Sequence, residues 1–312
     1  MKKLSELIEE YFKNPNLLLL EEKRKKLLFR LKFIAVFTLL VAVIVILYFN
    51  IRLNNAFFVL FAAFGVYMFV YRFLIKGYKK EFKETVVKSL VSIFTEAFEY
   101  RPDGKVDSVK YDLSGIFPQK YDRYSGEDYV KGELNGVGFE FSDLHTEYES
   151  RDVKGNVIWQ TVFKGTFYVS EFNRHFKGRV VVYPDFAEKY FGNIANTLQK
   201  LHNGSLEFVK MDSPEFEKEF KVYSDDQILA RYVLSTSFME KMVIFKRKIK
   251  KPVYFSVKNN MMFVAISGND NFEAPVWRSL MNYKYVEEML GSFYYISTLV
   301  NSLSLERKIW KN

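Results

Sequence analysis

Two apolar stretches, Phe33–Phe49 and Ala56–Tyr71, lie close together near the N-terminus with only Asn50-Ile51-Arg52-Leu53-Asn54-Asn55 between them. The first is an uncharged run of 17 residues, and Leu27, Leu28 and Leu31 extend its apolar face upstream. Its helical reach therefore approaches the ~20 residues that cross a hydrocarbon core. The second has 16 uncharged residues before Arg72 and continues through Phe73-Leu74-Ile75, so Arg72 must carry its guanidinium to the headgroups along its aliphatic stem. Both runs are apolar all round rather than along one stripe, the pattern of lipid-facing helices and not of a helical hairpin packed on a soluble core. The chain is expected to enter a membrane as a tight two-span hairpin over residues 33–76. A cleaved signal peptide fits poorly, because no small-residue cleavage site follows Tyr48-Phe49-Asn50 and a second apolar run comes at once.

Orientation follows from the flanking cations. Lys23, Arg24, Lys25, Lys26, Arg30 and Lys32 precede the first span, while Arg72, Lys76, Lys79 and Lys80 end or follow the second. The connector carries only Arg52. The positive-inside rule puts both termini in the cytoplasm and the Asn-rich connector outside, with the ten basic residues at the membrane interface. The net charge of +9 raises the question of nucleic acid, but much of it sits in these two clusters, where anionic inner-leaflet lipid is sufficient reason for it. A nucleic-acid partner is not expected. With no cysteine in the chain, disulfides, thiolate nucleophiles and Cys-ligated metal centres are excluded.

The four expected segments are residues 1–32, amphipathic cytoplasmic helices; 33–76, the hairpin; 77–104, a connecting amphipathic helix; and 105–312, a cytoplasmic α+β domain. In the first, Leu4, Leu7, Ile8, Tyr11 and Phe12 recur at helical spacing until Asn14-Pro15-Asn16. That face lies either on the membrane or on the protein. After the hairpin, Phe82, Val86, Leu90, Phe94 and Phe98 make a helical stripe that stops at Arg101-Pro102-Asp103-Gly104.

From Tyr121 the period changes to two. Asp128–Leu134, Val137–Tyr148 and Val157–Val169 read as an antiparallel meander turned at Asn135-Gly136 and Lys154-Gly155-Asn156. In the middle strand the apolar side switches near Ser142-Asp143, implying a bulge or bend. Val137, Phe139, Phe141, Trp159, Phe163 and Phe167 are expected to supply one core face. Then follow a strand Arg179–Tyr183, a helix Phe186–Leu201, a strand Leu206–Lys210 and short helices near Pro214–Glu219 and Asp225–Tyr232. Ser224 with Gln227 and Ser237 with Glu240 have capping-box spacing and set helix starts before Gln227 and Glu240. A second hairpin, Val253–Val257 and Met261–Ile266 around Lys258-Asn259-Asn260, should be central, and a final helix carries Val286, Met289, Leu290 and Phe293. Mostly antiparallel sheet packed with helices accounts for this order.

Residues with catalytic chemistry are sparse. His145, His175 and His202 sit on different elements without a metal-ligand spacing. His145 and Glu147 share a strand face, and Asp225-Asp226 could bind a cation. Each has a plainer reading, the first as a solvated strand face and the second as acids in the first turn of a helix. His145, Glu147 and Asp225 are the candidate catalytic residues, and no cofactor or metal is expected. Gly136-Val137-Gly138 opens a strand rather than a helix, so it is a hairpin turn and no dinucleotide fingerprint.

Tyr124–Gly132, Phe163-Lys164-Gly165-Thr166-Phe167, Val181-Val182-Tyr183-Pro184-Asp185 and Phe216–Gln227 through Ala230–Leu234 together resemble a bacterial membrane protein family, the domain of unknown function numbered 3137, over roughly Lys80 to Leu305. That resemblance transfers no catalytic residue. It implies a membrane hairpin joined to a cytoplasmic domain in the bacterial inner membrane, with another membrane protein, a LemA-like one, as partner. The residues favour a membrane-tethered binding or scaffold protein that is not an enzyme; the alternative is a membrane-anchored hydrolase or transferase with an unfamiliar site.

Overall fold

The structure is a computed structural model that describes residues 3–95, 98–134, 136–185, 206–268 and 272–309. The expected helix at 186–201 lies outside the described residues, as does His202. The chain divides into two compact units: Met1–Leu90 with Phe272–Glu287, and Val91–Asn271 with Glu288–Asn312.

The first unit is helical. Its elements are α1 (Leu4–Phe12), α2 (Pro15–Tyr48), α3 (Leu53–Phe82) and a π-helical turn at Lys83–Val87 that leads into α4 (Lys88–Phe94). Pro15 stands at the first position of α2, and the Asn14 side chain caps that helix by accepting from the Asn16 amide at 3.0 Å. Leu7, Ile8 and Tyr11 of α1 are buried, so its apolar face packs on protein and not on lipid. Along α2 and α3 the opposite holds: Leu47, Phe69 and Phe73 are each about three-quarters exposed. Both helices are long and apolar enough to cross a bilayer. Helical structure ends at Phe94; Phe98, expected on the same helix, begins strand β1 (Phe98–Arg101).

The second unit is α+β. A seven-stranded antiparallel sheet contains β1, β2 (Arg123–Leu134), β3 (Val137–Arg151), β4 (Val157–Pro184), β5 (Glu207–Val209), β6 (Phe220–Ser224) and β7 (Val253–Ser267). Around it lie α5 (Ser108–Ser114), α6 (Pro214–Glu217), α7 (Gln227–Val233), α8 (Thr236–Ile249) and α9 (Tyr283–Ile309). The meander β2-β3-β4 forms as its turns predict. Strand β4 runs on without interruption for 28 residues, so Arg179–Tyr183 is its far end and not a strand of its own. One edge of β4 pairs first with β3 and then with β6, while β7 lies along the other edge.

Two expectations about this sheet are corrected. Residues 253–267 form one strand, not a hairpin, and among the described strands its single partner is β4, which places it at an edge and not in the centre. Asn259 does adopt a positive φ, 56°, but as an irregularity within the strand rather than a turn. It inverts the alternation, so that Tyr254 before it and Phe263 and Ala265 after it reach the same core. The six aromatic and aliphatic residues expected on one face are divided as well. Phe163 and Phe167 join Tyr111, Leu144 and Phe263 on the side of α5. Phe141 pairs with Tyr168 in register and meets Phe293 of α9 at 4.8 Å on the other side. Trp159 belongs to neither core: it is half-buried beneath the Arg123 guanidinium at 3.4 Å. Because both faces are covered, a strand can carry apolar residues of both parities, which is why β3 changes sides at Ser142-Asp143.

The bulge lies opposite that point, in β2. Glu127 pairs with Asp143 and Val130 with Phe141, leaving Asp128 and Tyr129 against Ser142 alone. Asp128 has φ 61° and is buried, accepting from the Tyr100 hydroxyl at 2.6 Å. Helix caps fall two residues from the expected serines: Asp226 caps α7 through the amides of Ile228 and Leu229, and Ser235 caps α8 through Phe238.

Gly165 has φ 151°, and a Cβ there would lie 2.0 Å from the carbonyl oxygen of Ile266 on β7. Replacing Gly165 with alanine should force β4 and β7 apart and cost about 3 kcal/mol, by analogy with overpacking and backbone strain. Hydrogen exchange at the amides of β7 would register this as faster exchange than in the unmodified chain, whereas unchanged protection would refute it.

Candidate functional site

The three sequence candidates do not converge. His145 stands opposite Lys164 on β4, its Nε2 3.1 Å from the Thr161 hydroxyl and 3.7 Å from a Glu147 oxygen. Asp225 follows Ser224, which pairs with Val180 at the far end of β4. At about 3.3 Å per residue the two positions are on the order of 50 Å apart along that strand. Asp225 accepts from the Arg179 amide at 2.6 Å, and Asp226 caps α7, so both acids serve local structure. Among the described residues no group of three or more His, Asp or Glu side chains could hold a metal ion. The side chain of His175 is outside the described residues.

A polar cleft of about 470 Å³ opens instead between the end of β1, the loop into α5 and strands β2 and β3, lined by Arg101, Lys105, Lys110, Tyr124, Tyr129 and Glu140, with Asp107 and Ser108 at its rim. Local chemistry builds it. The Gly104 amide donates to Arg101 O at 3.1 Å and closes the turn, and Asp107 caps α5 through the Val109 amide at 2.8 Å. By reversing the alternation of β2, the Asp128 bulge brings Tyr124 before it and Tyr129 after it onto one side.

At the floor, Glu140 is buried, accepts from the Tyr129 hydroxyl at 2.6 Å through one oxygen and forms an ion pair with Lys110, whose Nζ is 2.7 Å from the other. Burial, reinforced by that bond to Glu140, raises the Tyr129 hydroxyl above its ordinary value. Tyr124 donates to Val106 O at 2.8 Å and is raised chiefly by burial. Both phenols thus remain protonated donors at neutral pH. The Arg101 guanidinium lies 4.4 Å from the Tyr129 ring centre, a cation–π contact, and pairs with Glu99 at 3.1 Å. Lys105 has no acidic partner within salt-bridge distance among the described residues. The cleft therefore offers cations beside phenolic rings, suited to an anionic or mixed-polarity ligand. The residue pattern does not mark it, because its members come from four elements and the bulge that aligns them is invisible in a period-two reading.

The other missed constellation is in the helical unit. Arg24, expected at the membrane interface, is buried: its Nε and Nη2 donate to Glu21 at 2.8 and 2.7 Å, and its Nη1 donates to Val276 O at 2.9 Å. Glu21 also accepts from the Leu280 amide and the Ser279 hydroxyl, both at 2.9 Å. Tyr78 donates to Pro275 O at 3.1 Å, and Lys79 pairs with Glu273 at 2.9 Å. Lys23 pairs with Glu81. Of the ten cations expected at a membrane interface, Arg24 is withdrawn into the protein, and Lys23 and Lys79 hold carboxylates. Exposed Lys25, Lys26, Arg30, Lys32, Arg72, Lys76 and Lys80 remain at the surface.

No curated protein matches the chain. Among solved structures, the crystal structure of the mycobacterial trehalose monomycolate transport factor A, TtfA, is similar at 14% identity and a TM-score of 0.35, covering 72% of this chain and 95% of that one. No shared fold follows from a score at that level. The motif at Tyr124–Gly132 lies outside the stretch matched by a family model, and those at 163–167, 181–185 and 216–234 lie inside it: residues 161–305 match the family described as a protein of unknown function, DUF3137.

Proposed function

We propose that this chain is a membrane-tethered binding protein of the bacterial inner membrane, holding its sheet unit in the cytoplasm through a two-span hairpin. The observation that carries the tether is the outward display of large apolar side chains along α2 and α3, such as Leu47 and Phe69, which in water would form a patch far larger than soluble surfaces carry. The basic residues at the two cytoplasmic ends and the single Arg52 in the connector support the orientation. Binding rather than catalysis is supported by the cleft, where Lys105 and Arg101 lie beside the Tyr124 and Tyr129 rings, while Asp225 lies far along β4 from the His145–Glu147 pair. The partner suggested by the family resemblance, a LemA-like membrane protein, is the first to look for.

A cysteine placed at Asn54 should react with an impermeant maleimide added to intact cells, and one placed at Asn312 should not. Labelling of Asn312 from outside would reverse the orientation and remove the cytoplasmic assignment. For the binding role, a photo-crosslinking residue at Lys105 in native membranes should yield a discrete adduct. An irradiated chain that forms links only within itself would count against the cleft as a binding site.

A further inference from the structure

We propose that the loop Pro275–Leu280 is a second membrane contact, which seats Trp277 and Arg278 among anionic lipid headgroups beside the base of the hairpin. The inference rests on the two-span reading and adds a contact from the opposite end of the sequence. Trp277 is 59% exposed, and Arg278 next to it is exposed, although neighbours on both sides are held: Val276 O by Arg24, Leu280 N by Glu21 and Pro275 O by Tyr78. The backbone is thus fixed on the two juxtamembrane helices, and the indole stays outside the core.

Its height can be read from both helices. Arg24 comes nine residues before Phe33 and Tyr78 seven after Tyr71, rises of about 13.5 and 10.5 Å from the ends of the uncharged runs. A bilayer's headgroup region adds about 5–7 Å on each side of the hydrocarbon, so the loop backbone is held just outside the headgroups, within a side-chain length of them. Tryptophan favours headgroup depth because its ring is apolar while its N–H seeks a polar partner. Exposed Lys76 and Lys80 bracket Tyr78 on α3, and Arg278 is exposed three residues after Pro275, which Tyr78 holds, so cations complementary to anionic lipid gather at this end of the helix. A soluble protein partner would not require the aromatic and the cations to align with the edge of an apolar hairpin.

The test uses the full chain with Trp159→Phe and Trp310→Phe, so that Trp277 is the sole tryptophan, reconstituted in phosphatidylglycerol–phosphatidylcholine vesicles. Nitroxide-labelled lipids carry the quencher either near the glycerol backbone or near the acyl methyl end. Trp277 fluorescence should fall at least about twofold more with the shallow label than with the deep one, as for interfacial tryptophans. In the same vesicles Trp277→Phe combined with Val45→Trp should show the reverse preference. If Val45→Trp is quenched by the deep label and Trp277 by neither, the loop contact is wrong and the spans stand. If Val45→Trp is quenched by neither label, the two-span reading falls and takes the loop contact with it. An Arg278→Glu variant should lose part of the shallow quenching when phosphatidylglycerol is present, and retention of all of it would remove the headgroup interaction.

Discussion

Replacing Arg24 with methionine should release the segment Phe272–Glu287 from α2 and cost about 3–5 kcal/mol, the usual penalty for leaving one member of a buried ion pair uncompensated. The geometry is the reason. Glu21 receives two bonds from Arg24, one from the Ser279 hydroxyl and one from the Leu280 amide, so its charge is stabilised by four donors in a place with little water. Removing Arg24 takes away two of the four and also the donor to Val276 O. Trypsin cleavage after Arg278, measured on the full chain in detergent, should accelerate by about 100-fold or more if the loop must open to be cut, since each 1.4 kcal/mol is a factor of ten. A double replacement, Glu21→Met with Arg24→Leu, should recover much of the loss, because an apolar pair of similar volume carries no desolvation cost. Equal cleavage rates in the single variant and the unmodified chain would show that the ion pair does not hold the loop.

Phe163→Ala is the corresponding change in the sheet unit, with an expected cost of about 3–5 kcal/mol. Phe163 is 2% exposed, stacks on Phe117 with ring centres 4.7 Å apart, and meets Tyr111 and Phe167 at 6.3 and 6.5 Å. Truncation would empty the middle of an aromatic cluster that spans α5, the loop after it and β4. Trp159→Ala makes the contrast: with one face covered by Arg123 and no place in a core, it should cost only about 0.5–1 kcal/mol, the worth of an exposed cation–π contact. Urea unfolding of the full chain in micelles, followed by near-ultraviolet dichroism, would separate them. Comparable midpoints for the two variants would show that the assignment of faces is wrong.

The sequence makes the apolar hairpin and the β2-β3-β4 meander legible for a common reason: each is specified by residues within a few positions of one another. Uninterrupted apolar runs need no partner to be recognised, and Asn135-Gly136 and Lys154-Gly155-Asn156 carry their turn chemistry locally. Strand β7 was misleading on the same ground. Lys258-Asn259-Asn260 has the composition of a turn, but an Asn with positive φ serves a bulge equally well, and only pairing with a continuous β4 decides between them. The split of Phe141 from Phe163 follows from register, which a one-residue slip inverts. The position of Arg24 in a basic cluster points to the headgroups. Its partner Glu21 was adjacent, but the groups that make burial tolerable, Val276, Ser279 and Leu280, lie some 250 positions away, beyond the reach of any spacing rule. The candidate site was the least legible part, since the cleft depends on an inverted alternation at Asp128 and on a loop, 102–107, that reads only as punctuation.

The helical unit is built from both ends of a long stretch of chain, and this orders events during synthesis. Both apolar helices have emerged by Lys76, whereas Phe272, which begins the returning segment, comes about 200 residues later. At roughly 5–20 residues per second the interval is on the order of 10–40 s. Throughout it Glu21 and Arg24 have each other but not the groups of Val276, Ser279 and Leu280 that complete their bonding. Synthesis of the two apolar helices and closure of their base are thereby separated in time, with the whole of the sheet sequence translated between them.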